Sequence, residues 1–185
     1  DLTFYSSNIS INSLKNTKAK ACLIDKKNSK HLPKSVFSIT VEEPYKAFAL
    51  VSNLFKDKKI SNGKISNFSS INDNIKLDKN VQIDSFVNIK DNCIIKKNVI
   101  IESNCSIGPN VTINENTIIK SNSILENCII GTNCIIKSGA IIGGAGFGFD
   151  PNSKVRIHHF GNVVIGNNCN IGSNTTIDRA VFDST

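Results

Sequence analysis

An aliphatic residue returns at every sixth position from Ile65 to Leu125 without a miss, and few folds tolerate that spacing. The series runs Ile65, Ile71, Leu77, Ile83, Ile89, Ile95, Ile101, Ile107, Ile113, Ile119, Leu125. After a one-residue contraction it resumes at Ile130, Ile136 and Ile142, and after a longer break at Ile165, Ile171 and Ile177. An α-helix repeats every ~3.6 residues and a half-buried strand every second one, so neither produces this period. A hexapeptide repeat does: three hexads close one coil of a parallel β-helix, and each wall is a short strand. Known hexapeptide β-helices wind left-handed, against the usual crossover rule, but the periodicity alone does not give the hand.

The remaining hexad positions agree. Four residues after each aliphatic one stands something compact or β-branched: Val81, Val87, Cys93, Val99, Cys105, Val111, Thr117, Ser123, Cys134, Ala140, Cys169, Thr175 and Val181. Such side chains suit a narrow prism interior. The residue just before is very often Asn: Asn74, Asn80, Asn92, Asn98, Asn104, Asn110, Asn116, Asn122, Asn133, Asn168 and Asn174. A left-handed corner costs ordinary residues about 1–2 kcal/mol, and after Gly it is Asn that tolerates it best.

Composition narrows the class further. No apolar run approaches the roughly 20 residues of a membrane helix, so no integral membrane segment is expected. The net charge of +7 suggests an acidic partner, but the lysines (Lys76, Lys79, Lys90, Lys96, Lys97, Lys120, Lys137) are spread over the coil exterior without interleaved aromatics. A solvated face is therefore expected, not a nucleic-acid surface. Of the six cysteines, Cys93, Cys105, Cys134 and Cys169 take the small inward position, Cys128 falls at the contracted corner, and Cys22 lies in an apolar strand. No Cys-x-x-Cys or Cys/His spacing marks a metal site, so buried reduced thiols are expected. Met is absent, and Asp183-Ser184-Thr185 stops in mid-coil. The expectation is an internal stretch of a longer chain, truncated at the C-terminal side.

Residues 1–62 lack the hexad and read as a partial small α/β domain. Residues 21–24 and 36–41 look like strands, and Leu2-Thr3-Phe4-Tyr5 is strand-like. From Pro44 to Phe55 the period becomes helical, with Ala47, Val51, Leu54 and Phe55 on one face. Pro44 suits the first helical position, Glu42 and Glu43 the positive end, and Lys56, Lys58 and Lys59 the negative end. Asn62-Gly63 reads as the boundary, with the coil occupying residues 63–185. A loop at 143–164 interrupts it, opening with Gly143-Gly144-Ala145-Gly146-Phe147-Gly148-Phe149. Its glycines lack the spacing and following helix of a phosphate cradle. Residues 154–160 alternate enough to be a returning strand.

Gly161-Asn162-Val163-Val164-Ile165-Gly166-Asn167-Asn168-Cys169-Asn170-Ile171-Gly172-Ser173-Asn174-Thr175-Thr176-Ile177-Asp178-Arg179 resembles the signature of the UDP-3-O-acylglucosamine N-acyltransferases, the third step of lipid A synthesis. The Gly-rich run at 143–149 resembles that family's Phe-Gly-Phe loop. Residues 1–60 resemble the second half of its uridine-binding domain, through Leu2-Thr3-Phe4, Lys18-Ala19-Lys20-Ala21-Cys22-Leu23-Ile24 and Glu43-Pro44-Tyr45-Lys46-Ala47-Phe48-Ala49.

The resemblance implies a cytoplasmic homotrimer of left-handed β-helices. It would move a 3-hydroxyacyl group from the phosphopantetheine thioester of acyl carrier protein to the 2-amine of a UDP-sugar. It implies no cofactor, no metal and no covalent intermediate. A histidine general base and a backbone N–H at the oxyanion would do the chemistry. That histidine is expected beyond Thr185, so no catalytic residue is assigned here and residues 1–185 alone are expected not to turn over.

Phe4 matches the aromatic that stacks on uracil, although an aromatic on a strand also reads as core. Asn8, with Ser7, lies near the family's Asn, while Ser10 stands where Tyr is usual. His159 is a candidate substrate contact or an edge residue packing the loop onto the coil; His158 carries the packing reading, and His31 sits in a polar turn. Phe147 and Phe149 are candidates for the wall of an acyl or pantetheine groove. Asp178 and Arg179 match the signature and read as a corner ion pair or a trimer contact. The alternatives are an acetyl-CoA-dependent hexapeptide transferase and a non-enzymatic structural β-helix.

Overall fold

A computed structural model describes residues 1–7, 9–55 and 59–185. The chain divides into two compact units, Asp1–Lys59 and Ile60–Thr185.

In the first unit β1 (Leu2–Phe4), β2 (Ala21–Ile24) and β3 (Phe37–Thr40) form a parallel sheet in that order. Helix α1 (Ile11–Lys15) lies between β1 and β2 in sequence, and α2 (Pro44–Ser52) follows β3. Tyr5, Leu14, Cys22, Ile24 and Val36 form the core. Pro44 opens α2 as expected, since its missing N–H would have no partner there. The helix ends three residues short of Phe55. The Ser52 hydroxyl and Asn53 Nδ2 both donate to the Ala49 carbonyl, at 2.7 and 3.1 Å, competing with the helical ladder. Leu54 and Phe55 are consequently exposed. Lys56 and Lys58, expected to follow the helix, lie outside the described residues.

The second unit is a coil of three parallel walls. One wall stacks β4 (Ser70–Ile71), β7 (Asn88–Ile89), β10 (Ser106–Ile107), β13 (Ile124–Leu125), β16 (Ile141–Ala145) and β19 (Thr176–Arg179). The next stacks β5 (Ile75–Leu77), β8 (Cys93–Ile95), β11 (Val111–Ile113), β14 (Cys128–Ile130) and β17 (Val163–Ile165). The third stacks β6 (Gln82–Ile83), β9 (Ile100–Ile101), β12 (Ile118–Ile119), β15 (Ile135–Ile136) and β18 (Asn170–Ile171).

Register puts like on like. Ile83 pairs with Ile101, Ile101 with Ile119, and Ile119 with Ile136, each essentially without solvent exposure. Burying one such side chain stabilises the fold by about 1.5–3 kcal/mol, so the rungs are its main support. Outside, Lys97 meets Glu115 at 3.4 Å and Lys120 meets Glu102 at 2.8 Å, linking neighbouring coils. Among the described residues no helix is long and apolar enough to cross a membrane.

The corners carry the left-handed residues. Asn80, Asn92, Asn98, Asn104, Asn110, Asn116, Asn122, Asn133, Asn168 and Asn174 all have φ between 55 and 64°. Asn74 does not, and Phe86 (φ 63°) and Gly139 (φ 76°) occupy equivalent corners without an Asn. The amides do more than tolerate the torsion. Asn74 Nδ2 donates to Asn92, Asn92 to Asn110, and Asn110 to Asn127, at 3.0–3.2 Å. A second column runs from Asn80 to Asn98 to Asn116, at 2.7 and 2.9 Å.

The contraction falls at Glu126-Asn127, where Asn127 takes the left-handed place (φ 43°). Cys128 is therefore not a corner residue. It is an inward member of β14, paired with Val111 and Val163 and 1% exposed. The interrupting excursion is narrower than 143–164, because β16 runs on to Ala145 and β17 starts at Val163. Residues 154–160 do not form the expected strand. A single antiparallel bridge joins Phe149 to Arg156, supported by Asp150 N–H to Val155 O and Ile157 N–H to Gly148 O, both 2.9 Å.

Candidate functional site

The site grows from a defect in the coil. Pairing of Leu125 with Ile142 and of Ile142 with Ile177 stacks Glu126, Gly143 and Asp178 at one corner. Where Glu126 cuts the corner short, its carbonyl comes so close to Gly143 that a Cβ there would overlap it. Gly143 also holds φ at 89°, which only glycine adopts freely. One extra residue then enters β16, so that Ala145, not Gly144, faces Arg179. Such a bulge locally disrupts the ladder, and Arg179 lies opposite it.

Arg179 is four-fifths buried. Its Nη1 donates to the Gly143 carbonyl at 3.0 Å and its Nε to the His159 carbonyl at 3.1 Å. Glu126 Oε2 lies 4.0 Å from Nη1. The ionic partner of Arg179 is thus Glu126, not the adjacent Asp178 of a simple corner pair. Register explains the miss: the pairing of Leu125, Ile142 and Ile177 is legible only once the coil is closed.

His159 sits at the second foot of the excursion, half-buried, with its ring against Gly146 and Gly148. Cβ atoms on those glycines would stand 2.9 Å from Nε2 and 3.3 Å from Cε1. Its Nδ1 is buried without a hydrogen-bond partner, as is Asn162 Oδ1. Asn162 lines a shallow groove of about 370 Å³ with Asn110, Thr112, Asn127, Ile129 and Phe160.

Phe147 and Phe149 pair at the outer end of the Gly-rich run, rings 5.0 Å apart, with Phe147 92% exposed. The excursion therefore brings Phe147, Phe149 and His159 onto one loop. At its tip Asp150 accepts from Ser153 N–H and Oγ–H and from Asn152 N–H, which holds its carboxyl below the usual range.

Phe4 lies in the other unit. Phe48 stacks on it at 4.5 Å and Tyr45 meets it edge-on at 5.5 Å, so one face of the ring is already covered. Asn8 lies outside the described residues. Ser10, where the family has Tyr, caps α1 by accepting from Asn12 N–H at 3.2 Å. Among the described residues no group of His, Cys, Asp and Glu is placed to hold a metal.

Walls, rungs and excursion define a hexapeptide-repeat β-helix protein. Residues 77–158 match a family profile described as the GMPPB C-terminal domain, and residues 1–54 match that of UDP-3-O-(3-hydroxymyristoyl) glucosamine N-acyltransferase. A UDP-3-O-acylglucosamine N-acyltransferase 2 of Legionella pneumophila is 53% identical over 174 residues, covering 93% of this chain and 51% of that protein. The UDP-3-O-acylglucosamine N-acyltransferase of Helicobacter pylori is 41% identical over 175 residues, covering 93% and 51%. The solved structure of a perosamine N-acetyltransferase from Caulobacter crescentus is 9% identical with a TM-score of 0.45, covering 95% of this chain and 90% of that one. Over nearly its whole length the chain is similar to proteins named UDP-3-O-acylglucosamine N-acyltransferase. It spans about half the length of those curated relatives.

Proposed function

We propose that the protein bearing this sequence is an acyltransferase that moves a 3-hydroxyacyl group from acyl carrier protein to the 2-amine of UDP-3-O-acylglucosamine in lipid A biosynthesis. The observation that carries this is the identity of 41–53% to enzymes of that name across 93–95% of the chain. The amine attacks the thioester carbonyl, the N–C bond forms, and the pantetheine thiol leaves as the C–S bond breaks. The general base that takes the amine proton is assigned by resemblance to a histidine past Thr185.

Within residues 1–185 the roles are binding and support. Residues 1–62 take the part of a uridine-binding α/β domain, with the uncovered face of Phe4 as the stacking surface and Asn8 as a second uridine contact. His159 contacts the acceptor sugar, and Phe147 with Phe149 walls the acyl or pantetheine chain. Left-handed winding, a cytoplasmic homotrimer and the carrier-protein partner belong to the same reading. Full-length protein is expected to transfer 3-hydroxyacyl groups from acyl carrier protein and to ignore acetyl-CoA. Acetylation from acetyl-CoA, with no transfer from the carrier protein, would reject the assignment.

A further inference from the structure

The excursion leaves the coil after Ala145 and comes back past His159, and one side chain holds both Gly143, in the strand just before it, and His159. Arg179 donates from Nη1 to the Gly143 carbonyl at 3.0 Å and from Nε to the His159 carbonyl at 3.1 Å. Those two residues are far apart along the chain, and both bonds are side chain to backbone, so they constrain the path of the loop whatever its side chains are. Both donors are charge-assisted and four-fifths buried, which places them among the stronger hydrogen bonds. Glu126, from the coil below, balances the charge at 4.0 Å. The guanidinium fork is needed for this: two fixed N–H directions serve two carbonyls, whereas an ammonium is a single point.

Backbone ties act at the same corner. Phe160 N–H meets Val181 O at 2.9 Å and Gly161 N–H meets Ala180 O at 3.1 Å, both after His159. The first foot has the guanidinium bond at Gly143, the crowding against Glu126 and the pairing of β16 with β19 as far as Ala145.

We propose that Arg179 is a positioning residue that straps the two feet of the Gly-rich excursion together and so sets where the Phe147–Phe149 lobe stands for an acyl donor. The part concerning the donor rests on the function proposed above; the strap itself does not.

The test uses full-length protein carrying Arg179→Gln or Arg179→Lys. Amide hydrogen exchange over 146–160 reads the strap, and KM and kcat with hydroxyacyl carrier protein read the positioning. In Arg179→Gln, exchange at Ile157 should quicken by about tenfold or more, the loss expected for a hydrogen bond to a charged group. KM for the donor should rise by about tenfold while kcat stays within about twofold. Arg179→Lys should fall between. Ordinary exchange over 146–160 in both variants overturns the strap. Quickened exchange with an unchanged KM overturns the positioning role. Should Arg179→Gln lose protection at the rungs as well, Arg179→Lys decides, and wild-type exchange there counts against the proposal. A wild-type protein without transferase activity would instead reject the enzymatic reading and leave the exchange result standing.

Discussion

The Cβ that Gly146 lacks would stand 2.9 Å from Nε2 of His159, so the imidazole fills the space the glycine leaves. Gly148 leaves a second gap on the same ring, at 3.3 Å from Cε1. The Gly-rich run is therefore shaped around a side chain of its own excursion.

Gly146→Ala should displace that ring and cost about 1–3 kcal/mol, the usual range for overpacking. The double variant with His159→Ala should recover most of it, because the clash is with a side chain. Thermal denaturation of the four proteins of the cycle measures the coupling. Strictly additive losses would mean that ring and glycine do not compete for space.

Glycines elsewhere in the coil should differ in a set order. A Cβ on Gly143 meets the backbone carbonyl of Glu126, which cannot rotate away, and φ there is 89°. A Cβ on Gly139 meets the side-chain amide of Asn174 at φ 76°, and a side chain moves more easily. Gly166 has open space. Alanine should cost about 3 kcal/mol or more at 143, about 1–2 at 139 and within about 0.5 at 166. Denaturation midpoints giving another order would contradict the corner geometry.

Phe86 holds a left-handed corner (φ 63°) that its column neighbours Asn104 and Asn122 fill with Asn, and it is two-thirds exposed. Its ring contact with Phe68, 6.1 Å away and tilted, is worth about 0.5–1.5 kcal/mol, at the low end for an exposed pair. Relief of the torsion is worth about 1–2 kcal/mol. Phe86→Asn should therefore raise the melting temperature, and a lowered one would show that the aromatic pair outweighs the strain.

Burial pushes the Cys105 thiol up to about 11 and the Cys128 thiol up to about 12. Because both are raised above the ordinary thiol value, their contribution to stability is complete below pH 9. It is lost as pH climbs through 11 and 12. The loss for Cys128 is on the order of 4 kcal/mol once it ionises. Val111 and Val163 flank Cys128 in register, so Cys128→Val should fold and show a shallower alkaline decline. In the native protein at pH 8 a thiol reagent should reach the half-buried Cys169 before either. Rapid labelling of Cys128 would argue against its inward placement.

Some features were legible because they are local and repeated. Each coil touches only its neighbours, so the residue type at each hexad position reports its own environment. Ile83, Ile101 and Ile119 announce one wall without knowledge of the rest. Asn at the corners was legible for its torsion, but the amide columns were not. A bond such as that from Asn80 to Asn98 depends on how far one coil is rotated over the next. The end of α2 was misjudged because apolar spacing continues to Phe55, while the polar side chains of Ser52 and Asn53 turn back on the Ala49 carbonyl.

The sequence by itself determined the period, hence three parallel walls with aliphatic rungs inside, because burial at a fixed spacing admits almost no other solution. It also placed the chain beside the N-acyltransferases through the run ending in Asp178-Arg179. Only the tertiary structure decided what those last two residues do. Losing a residue at Glu126 and gaining one beside Gly143 are small events far apart in sequence. Stacked at one corner, they lie beside Arg179, whose guanidinium holds two carbonyls, one of them that of His159. Such contacts arise from accumulated register along the coil, and register is a property of the whole stack.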